Sequence, residues 1–185
     1  MRFTFLTLAI AAGVAFAGSA QAEPFTLTSK TFKDGGMLTV KNAGNIKSNP
    51  NCIGENISPE LSWSNAPANI KSFVLVATDW EGQAGLGSHH LVAYSIAPAV
   101  TGFAEGELSK ESSKFTGGKE TAGTAFYRGP CPPSGSGMHH YLFNIIATDI
   151  EPGLMPEGLT RDEVFERLKG HAKGVAGIVG LFGRN

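Results

Sequence analysis

Three short apolar runs stand out in the hydrophobic pattern of this chain. They cover residues 73–77, 91–94 and 142–147, and glycine-, proline- or polar-rich sequence bounds each of them. Continuous apolar runs of this length are typical of buried strands. Polar segments that contain histidine adjoin the runs. If the three strands are neighbours, we expect those polar segments to gather in one place.

Weaker patterns predict the other elements of the first two thirds of the chain. Residues 25–28 alternate in polarity and predict an edge strand. Residues 37–40 follow a turn at residues 34–36 and predict its return strand. The segment 101–122 is polar, rich in Gly, Ser and Lys, and lacks periodicity. It predicts a long surface excursion.

Helical periodicity is convincing in one segment, from about residue 161 to residue 169. Thr160 and Glu163 have the spacing of a capping box, and Gly170 is a favourable residue at the end of a helix. Residues 175–182 are mostly apolar, with glycines among them, and they predict a last strand. Because strands outnumber helices, the pattern predicts a mainly β protein.

Composition narrows the class of protein. The chain has 185 residues with 24 Gly and 10 Pro, and only 17% of its residues are charged. These values suit one compact domain that is rich in loops. The net charge of −1 and the absence of a long basic run argue against a nucleic-acid partner.

The first residues have the features of a secretory signal peptide. Arg2 gives a positive start, residues 3–16 are apolar, and residues 20–22 form a small-x-small cleavage site. The apolar run is shorter than the roughly 20 residues that a membrane span needs. We expect residues 1–22 to be removed and the domain to span residues 23–185. The mature protein is then periplasmic, in a bacterium, with no integral membrane segment.

Export changes the interpretation of the two cysteines. An oxidising compartment favours a disulfide between Cys52 and Cys131. The competing hypothesis keeps Cys131 reduced, as a nucleophile with His139 as its base. Two cysteines are too few for a structural zinc site, although the five histidines leave a mixed metal site open.

The first polar segment carries two acidic residues and two histidines. Strand alternation places Asp79 on the same face as the apolar residues two and four positions before it, and Glu81 joins that face if the strand continues. Such a pair could orient a histidine, bind a metal or act in acid–base chemistry. Of His89 and His90, only one should enter the pocket.

The second polar segment combines a rigid loop with further donors. Residues 132–137 are rich in Pro and Gly, so backbone N–H groups could converge there on an anion, but the Lys-Ser/Thr ending of a P-loop is missing. His139 and Tyr141 share one strand face, while His140 points to the other. No Ser-His-Asp arrangement and no cofactor motif are evident in the sequence, and we expect no cofactor.

Several of these motifs together resemble the phosphatidylethanolamine-binding protein family, in its bacterial Raf-kinase-inhibitor-like branch. The resemblance covers essentially the whole chain after residue 22. Its most specific part is the Gly-Pro-Cys-Pro-Pro loop with the His-x-Tyr that follows. The residues that carry it are Asn56, Ser58, Pro59, Leu61, Trp63, Asp79, Glu81, His90, residues 129–133, His139, Tyr141, Gly170 and His171.

The resemblance implies a fold and a site. The fold is a two-sheet antiparallel β-sandwich with a C-terminal helix packed against it and a small pocket at one end of the central sheet. The family's pocket takes phosphate, phosphorylated head groups or similar anions. Carried over to this sequence, the lining residues are Asp79, Glu81, His90, Pro133, His139 and Tyr141.

Two departures from the family pattern concern the pocket. The family has Asp-Pro-Asp-x-Pro where residues 79–83 here lack both prolines, which predicts a looser turn. The Asn-Asp-Phe-Gly found before the second loop is replaced by residues 120–123.

The resemblance and the residues together predict a binding module for small anions or phosphorylated ligands, which could inhibit or regulate a protein partner. We expect at least one of His90 and His139 to be charged when an anion is bound, so that affinity falls as pH rises from about 6 to about 8. One alternative is a periplasmic hydrolase that uses His139 with Asp79 and Glu81, or a reduced Cys131. Another is metal binding through His89, His90 and Asp79.

Overall fold

The computed structural model describes residues 23–184, so the predicted signal peptide lies outside the described residues. Within that range, nine strands form two sheets. The elements are β1 (Thr26–Thr28), β2 (Gly36–Met37), β3 (Leu61–Ser64), β4 (Ser72–Asp79), α1 (Gly82–Gly85), β5 (Ser88–Ile96), β6 (Gly102–Phe103), β7 (Thr116–Gly117), β8 (Gly137–Thr148), α2 (Arg161–Leu168) and β9 (Ala172–Arg184). The smaller sheet has the order β1-β3-β6, and the larger has the order β2-β9-β8-β4-β5-β7.

The two sheets form a sandwich whose core explains the apolar run at β4. All eight residues of β4 are buried, because both faces of the larger sheet are covered. Phe73 and Leu75 belong to the cluster between the sheets, which also contains Trp63 of β3. Val74 and Val76 point to the opposite face and pack with residues of α2. The predicted β-sandwich with a packed helix is therefore confirmed.

Helix α2 begins at the predicted capping box. The Thr160 hydroxyl accepts a hydrogen bond from the Glu163 amide at 3.3 Å, and the Glu163 carboxylate accepts from the Thr160 amide at 2.8 Å. Gly170 has a φ of +77°, the left-handed conformation that ends a helix. The cap holds the buried residues Val164 and Leu168 against the larger sheet.

Replacing the capping residue should weaken the fold measurably. Thr160→Ala is expected to lower the free energy of unfolding by about 1 kcal/mol, because the first turn of α2 loses a hydroxyl acceptor. Urea unfolding followed by circular dichroism measures the change. Thr160→Ser keeps the hydroxyl and should retain most of the stability. An equal loss in both variants would show that the methyl group, and not the cap, is responsible.

The prediction of a return strand at residues 37–40 was wrong. Met37 pairs in parallel with Leu181 of β9, and Val40–Asn42 forms a 3-10 turn. The segment is held at the sheet edge by Asp34, whose carboxylate accepts a hydrogen bond from the Val179 amide at 2.8 Å. Local alternation predicts an extended conformation, but it does not select the partner strand.

Segment 101–122 is also more than a surface excursion. It contributes β6, the 3-10 turn Glu107–Ser109 and β7, and three of its apolar side chains, Phe103, Leu108 and Phe115, are buried. Their spacing follows neither helical nor strand periodicity, so the sequence pattern did not reveal them.

Cys52 and Cys131 form a disulfide, with their Cα atoms 4.6 Å apart. The bond ties the loop before β3 to the Pro-rich loop before β8. It excludes the hypothesis of a reduced Cys131 nucleophile. Among residues 23–184 no helix is long and apolar enough to cross a membrane.

Candidate functional site

A cavity of about 530 Å³ lies at the end of the larger sheet where β4 finishes. Strand register creates it, because Asp79 pairs with Ser88 of β5 on one side and with Tyr141 of β8 on the other. The lining contains the six residues predicted from the sequence, Asp79, Glu81, His90, Pro133, His139 and Tyr141. It also contains two residues that the sequence did not single out, Arg128 and Ser136.

Asp79 is the buried centre of the site. One carboxylate oxygen accepts hydrogen bonds from the amides of Glu81 and Gly82, both at 3.0 Å. The other lies 2.8 Å from Nδ1 of His139, which is buried as well. A carboxylate oxygen only accepts, so Nδ1 of His139 carries the hydrogen. The negative charge of Asp79 is therefore engaged by protein donors.

His139 makes a second contact, with Ser136. The Nε2 atom of His139 lies 3.1 Å from the Ser136 hydroxyl oxygen, which is also 2.8 Å from the Pro133 carbonyl oxygen. The structure thus contains an Asp79–His139–Ser136 chain, which was not evident in the sequence. Ser136 and His139 are three positions apart, and that spacing was the only sequence signal for the pair.

His90 is held by the backbone and not by a carboxylate. Its Nδ1 atom donates to the Arg128 carbonyl oxygen at 2.6 Å. Burial lowers the pKa of His90 to about 4, although the bond to the Arg128 carbonyl and the charge of Asp79 favour the protonated form. His90 is therefore neutral at pH 6–8, so it is not the imidazole that carries a charge in that range. Its Nε2 atom is left as an acceptor.

Tyr141 keeps its hydroxyl proton. Burial, together with the neighbouring charge of Asp79, raises the pKa of Tyr141 well above its usual range. Its ring packs edge-on against His90, with centroids 5.1 Å apart. The phenol is therefore a neutral hydrogen-bond donor at neutral pH.

Glu81 reaches the outer side of β8. Its carboxylate lies 2.7 Å from Nδ1 of His140, and the two side chains are about half exposed. Burial alone would raise the pKa of Glu81, but the hydrogen bonds from His140 outweigh it and hold the pKa below the usual value. Glu81 therefore pairs with the histidine on the opposite strand face, and within residues 23–184 no hydrogen bond joins its side chain to His90 or His139.

Arg128 adds a cation to the cavity wall. Its Nε atom lies 2.9 Å from a carboxylate oxygen of Glu120, although the two groups are not aligned as a hydrogen bond. The Glu120 carboxylate is fully buried and also accepts from the amides of Ala122 and Thr124 at 2.8 and 2.9 Å. Arg128 directly precedes the Gly-Pro-Cys-Pro-Pro loop, and that position was the only sequence signal for it.

The loop after Arg128 is fixed by residues from a distant part of the chain. Asn56 donates to the Tyr127 carbonyl at 2.9 Å and accepts from the Gly129 amide at 2.8 Å. Gly129 has no room for a side chain, since an added Cβ would come within 2.2 Å of the Asn42 carbonyl oxygen. The resemblance motif at Asn56 therefore positions the cavity wall.

The β4–β5 turn is held without prolines. Besides the bonds from Glu81 and Gly82 to Asp79, the Gly87 amide donates to the Gly82 carbonyl at 2.9 Å, and the Gln83 side chain donates to the Gly87 carbonyl at 3.1 Å. Gln83 and Ala84 both have left-handed backbone angles. Hydrogen bonds thus close this turn, which was predicted to be loose.

The three residues of the metal-binding alternative do not converge. His89 lies on the opposite strand face from His90 and contacts Thr78, with 3.2 Å between its Nδ1 and the hydroxyl oxygen. The Asp79 carboxylate accepts a hydrogen bond from His139. Within residues 23–184, no group of three or more His, Cys, Asp or Glu side chains is arranged to hold a metal ion.

Comparison with known proteins identifies relatives of this chain. The family model for phosphatidylethanolamine-binding protein matches residues 28–183. A UPF0098 protein of Methanothermobacter thermautotrophicus is 37% identical over 143 residues, which cover 76% of this chain and 92% of that protein. LppC of Mycobacterium tuberculosis, which is named as a lipoprotein, is 34% identical over 163 residues, covering 87% of this chain and 73% of LppC. The crystal structure of Escherichia coli YbcL, described as a member of the mammalian PEBP family, matches with a TM-score of 0.79 at 27% identity, covering 88% of this chain and 100% of YbcL.

Proposed function

Because the chain belongs to the phosphatidylethanolamine-binding protein family, we propose that its cavity binds a small anion or the phosphorylated head group of a larger ligand. The observation that carries this proposal is the charge balance of the cavity. Asp79 is engaged by His139 and two backbone amides, and Glu81 is engaged by His140. Neither carboxylate depends on a bound cation, and Arg128, whose Nε atom pairs with the buried Glu120, lines the wall.

The donors available to an anion are mostly neutral and rigid. Tyr141 supplies a hydroxyl, and the Cys52–Cys131 disulfide fixes the Pro-rich loop that forms one wall of the cavity. Arg128 is the permanent charge, and a guanidinium can form two parallel hydrogen bonds to phosphate or sulfate oxygens. Arg128 therefore supplies a positive charge that does not depend on the protonation of His90 or His139.

Export and a protein partner belong to the same proposal. The disulfide suits an oxidising compartment, and the relative LppC is named as a lipoprotein, so we place the mature protein outside the cytoplasm, in the periplasm. There it would act by holding a phosphorylated small ligand, or by inhibiting or regulating a protein that carries one.

Arg128 provides the test of anion binding. Arg128→Gln is expected to weaken sulfate binding about tenfold or more, because a hydrogen bond to a charged group is lost. Isothermal calorimetry at constant pH measures the affinity, and sulfate keeps a constant charge over the pH range of interest. Mass spectrometry of the purified protein identifies any phosphorylated ligand that remains in the cavity.

Glu120→Gln is the matched control, because it also breaks the Arg128–Glu120 ion pair but keeps the guanidinium. Its sulfate affinity should equal or exceed that of the unchanged protein. If the two variants weaken sulfate binding equally, the loss comes from breaking the ion pair, which shapes the cavity wall, and not from the guanidinium charge. Unchanged binding in Arg128→Gln would refute an anion site at this guanidinium.

A further inference from the structure

We propose that Ser136 is a nucleophile, activated by His139 and positioned through Asp79, that hydrolyses small carboxylic esters in the cavity. This activity goes beyond anion binding. It rests on the Asp79–His139–Ser136 chain and on the access of Ser136 to the cavity, and not on the affinity of the site for anions.

The three side chains have the mutual distances that nucleophilic catalysis needs. Nε2 of His139 lies 3.1 Å from the Ser136 oxygen, and Nδ1 of the same ring lies 2.8 Å from an Asp79 oxygen. A base within hydrogen-bond reach of the nucleophile, itself oriented by a third group, is the general arrangement of activated serines. Asp79 is in turn held by two backbone amides, so the ring orientation of His139 is determined by the fold.

The hydroxyl proton of Ser136 has two acceptors. The Pro133 carbonyl lies at 2.8 Å and the Nε2 atom of His139 at 3.1 Å. Asp79 keeps hydrogen on Nδ1, so Nε2 of a neutral His139 has a lone pair and can only accept. The Ser136 proton can then turn from Pro133 to His139, which is the motion that makes the oxygen a better nucleophile.

Ser136 is also accessible, unlike its two partners. It is exposed and lines the cavity, whereas Asp79 and His139 are buried. Gly135 and Gly137 flank it, so the residues directly before and after Ser136 have no side chain that could cover its hydroxyl. Arg128 lines the same cavity and provides a positive charge for an oxyanion or for an anionic group of the ester.

The reaction balances with an ester and water alone. The Ser136 oxygen bonds to the carbonyl carbon while its proton passes to Nε2 of His139. The carbon–oxygen bond to the alcohol breaks, and His139 returns the proton to the leaving alcohol. Water then attacks the acyl-serine, gives one proton to His139, and releases the acid as Ser136 regains that proton.

A fluorophosphonate probe tests the proposal on the chain that begins at Glu23, with its disulfide intact. The expected result is one covalent adduct, found on Ser136 by peptide mass spectrometry, together with slow hydrolysis of p-nitrophenyl acetate. Ser136→Ala should abolish both signals. His139→Gln should slow labelling about 100-fold or more, the size of a general-base contribution, while Ser136 itself remains.

The neighbouring Ser134, which does not line the cavity, supplies the control. Ser134→Ala should label at the same rate as the unchanged protein. Absence of an adduct on Ser136 in the unchanged protein would overturn the proposal. So would equal labelling rates in His139→Gln and the unchanged protein. Sulfate affinity measured on Ser136→Ala separates this outcome from the anion-binding proposal, since that variant keeps Arg128.

Discussion

Removing the disulfide is expected to lower the free energy of unfolding by about 4–5 kcal/mol in the chain-entropy model. Cys52 and Cys131 are separated by 79 positions, so the bond closes a large loop and restricts the unfolded chain strongly. For a domain of this size such a loss is a large part of the total stability. The double variant Cys52→Ala/Cys131→Ala is the form to measure, because it leaves no free thiol.

The same change should loosen the cavity. Asn49 and Cys131 both line it, and the disulfide joins the two loops on which they lie. We therefore expect weaker sulfate binding as well as lower stability in the double variant. Urea unfolding and calorimetry measure the two effects separately.

A reductant separates the effect of the covalent bond from the effect of the sulfur atoms on packing. Adding a thiol reductant to the unchanged protein should reproduce most of the stability loss, and it should have no effect on the double variant. A difference in unfolding free energy below about 1 kcal/mol would contradict the entropic argument.

Acid should destabilise the protein by about 3 kcal/mol through His90 alone, since each unit of pKa shift corresponds to 1.36 kcal/mol. The folded state holds the pKa of this buried imidazole at about 4, below its ordinary value of 6.5. Between those two values the unfolded state binds more protons than the folded state. The stability contribution is therefore complete above about pH 6.5, and it is lost as pH falls towards about 4.

His90→Gln isolates this effect. The glutamine amide can still donate to the Arg128 carbonyl, but it does not titrate, so the variant should lose about 3 kcal/mol less than the unchanged protein between pH 6.5 and 4. Urea unfolding at several pH values provides the measurement. His171→Gln, a change at an exposed histidine, should retain the acid dependence of the unchanged protein. If His90→Gln lost stability as steeply, another group would be responsible.

Local sequence patterns determined much of the framework. The apolar run at residues 73–77 forms a strand that is buried on both faces. In a sheet covered on both sides, the side chains on both faces of the strand are removed from water, so a continuous apolar run is favoured. The Thr160–Glu163 spacing placed the start of α2 correctly, since a capping box involves only neighbouring residues. Strand alternation also placed His139 and Tyr141 on one face and His140 on the other.

Tertiary structure alone decided the chemistry of the cavity. Asp79 and His139 are 60 positions apart, and their contact depends on the register between β4 and β8. The pairing of Glu81 with His140 and the placement of Arg128 depend in the same way on the positions of neighbouring strands and loops.

The protonation state of His90 could not be predicted from the sequence for a related reason. Its pKa depends on how completely the assembled fold removes water from the ring, and that burial comes from segments far apart in the chain. Periodicity and spacing describe which way a side chain points along its own strand. Contact partners, proton positions and charge are set by what packs against that strand, and this is decided only when the whole chain is folded.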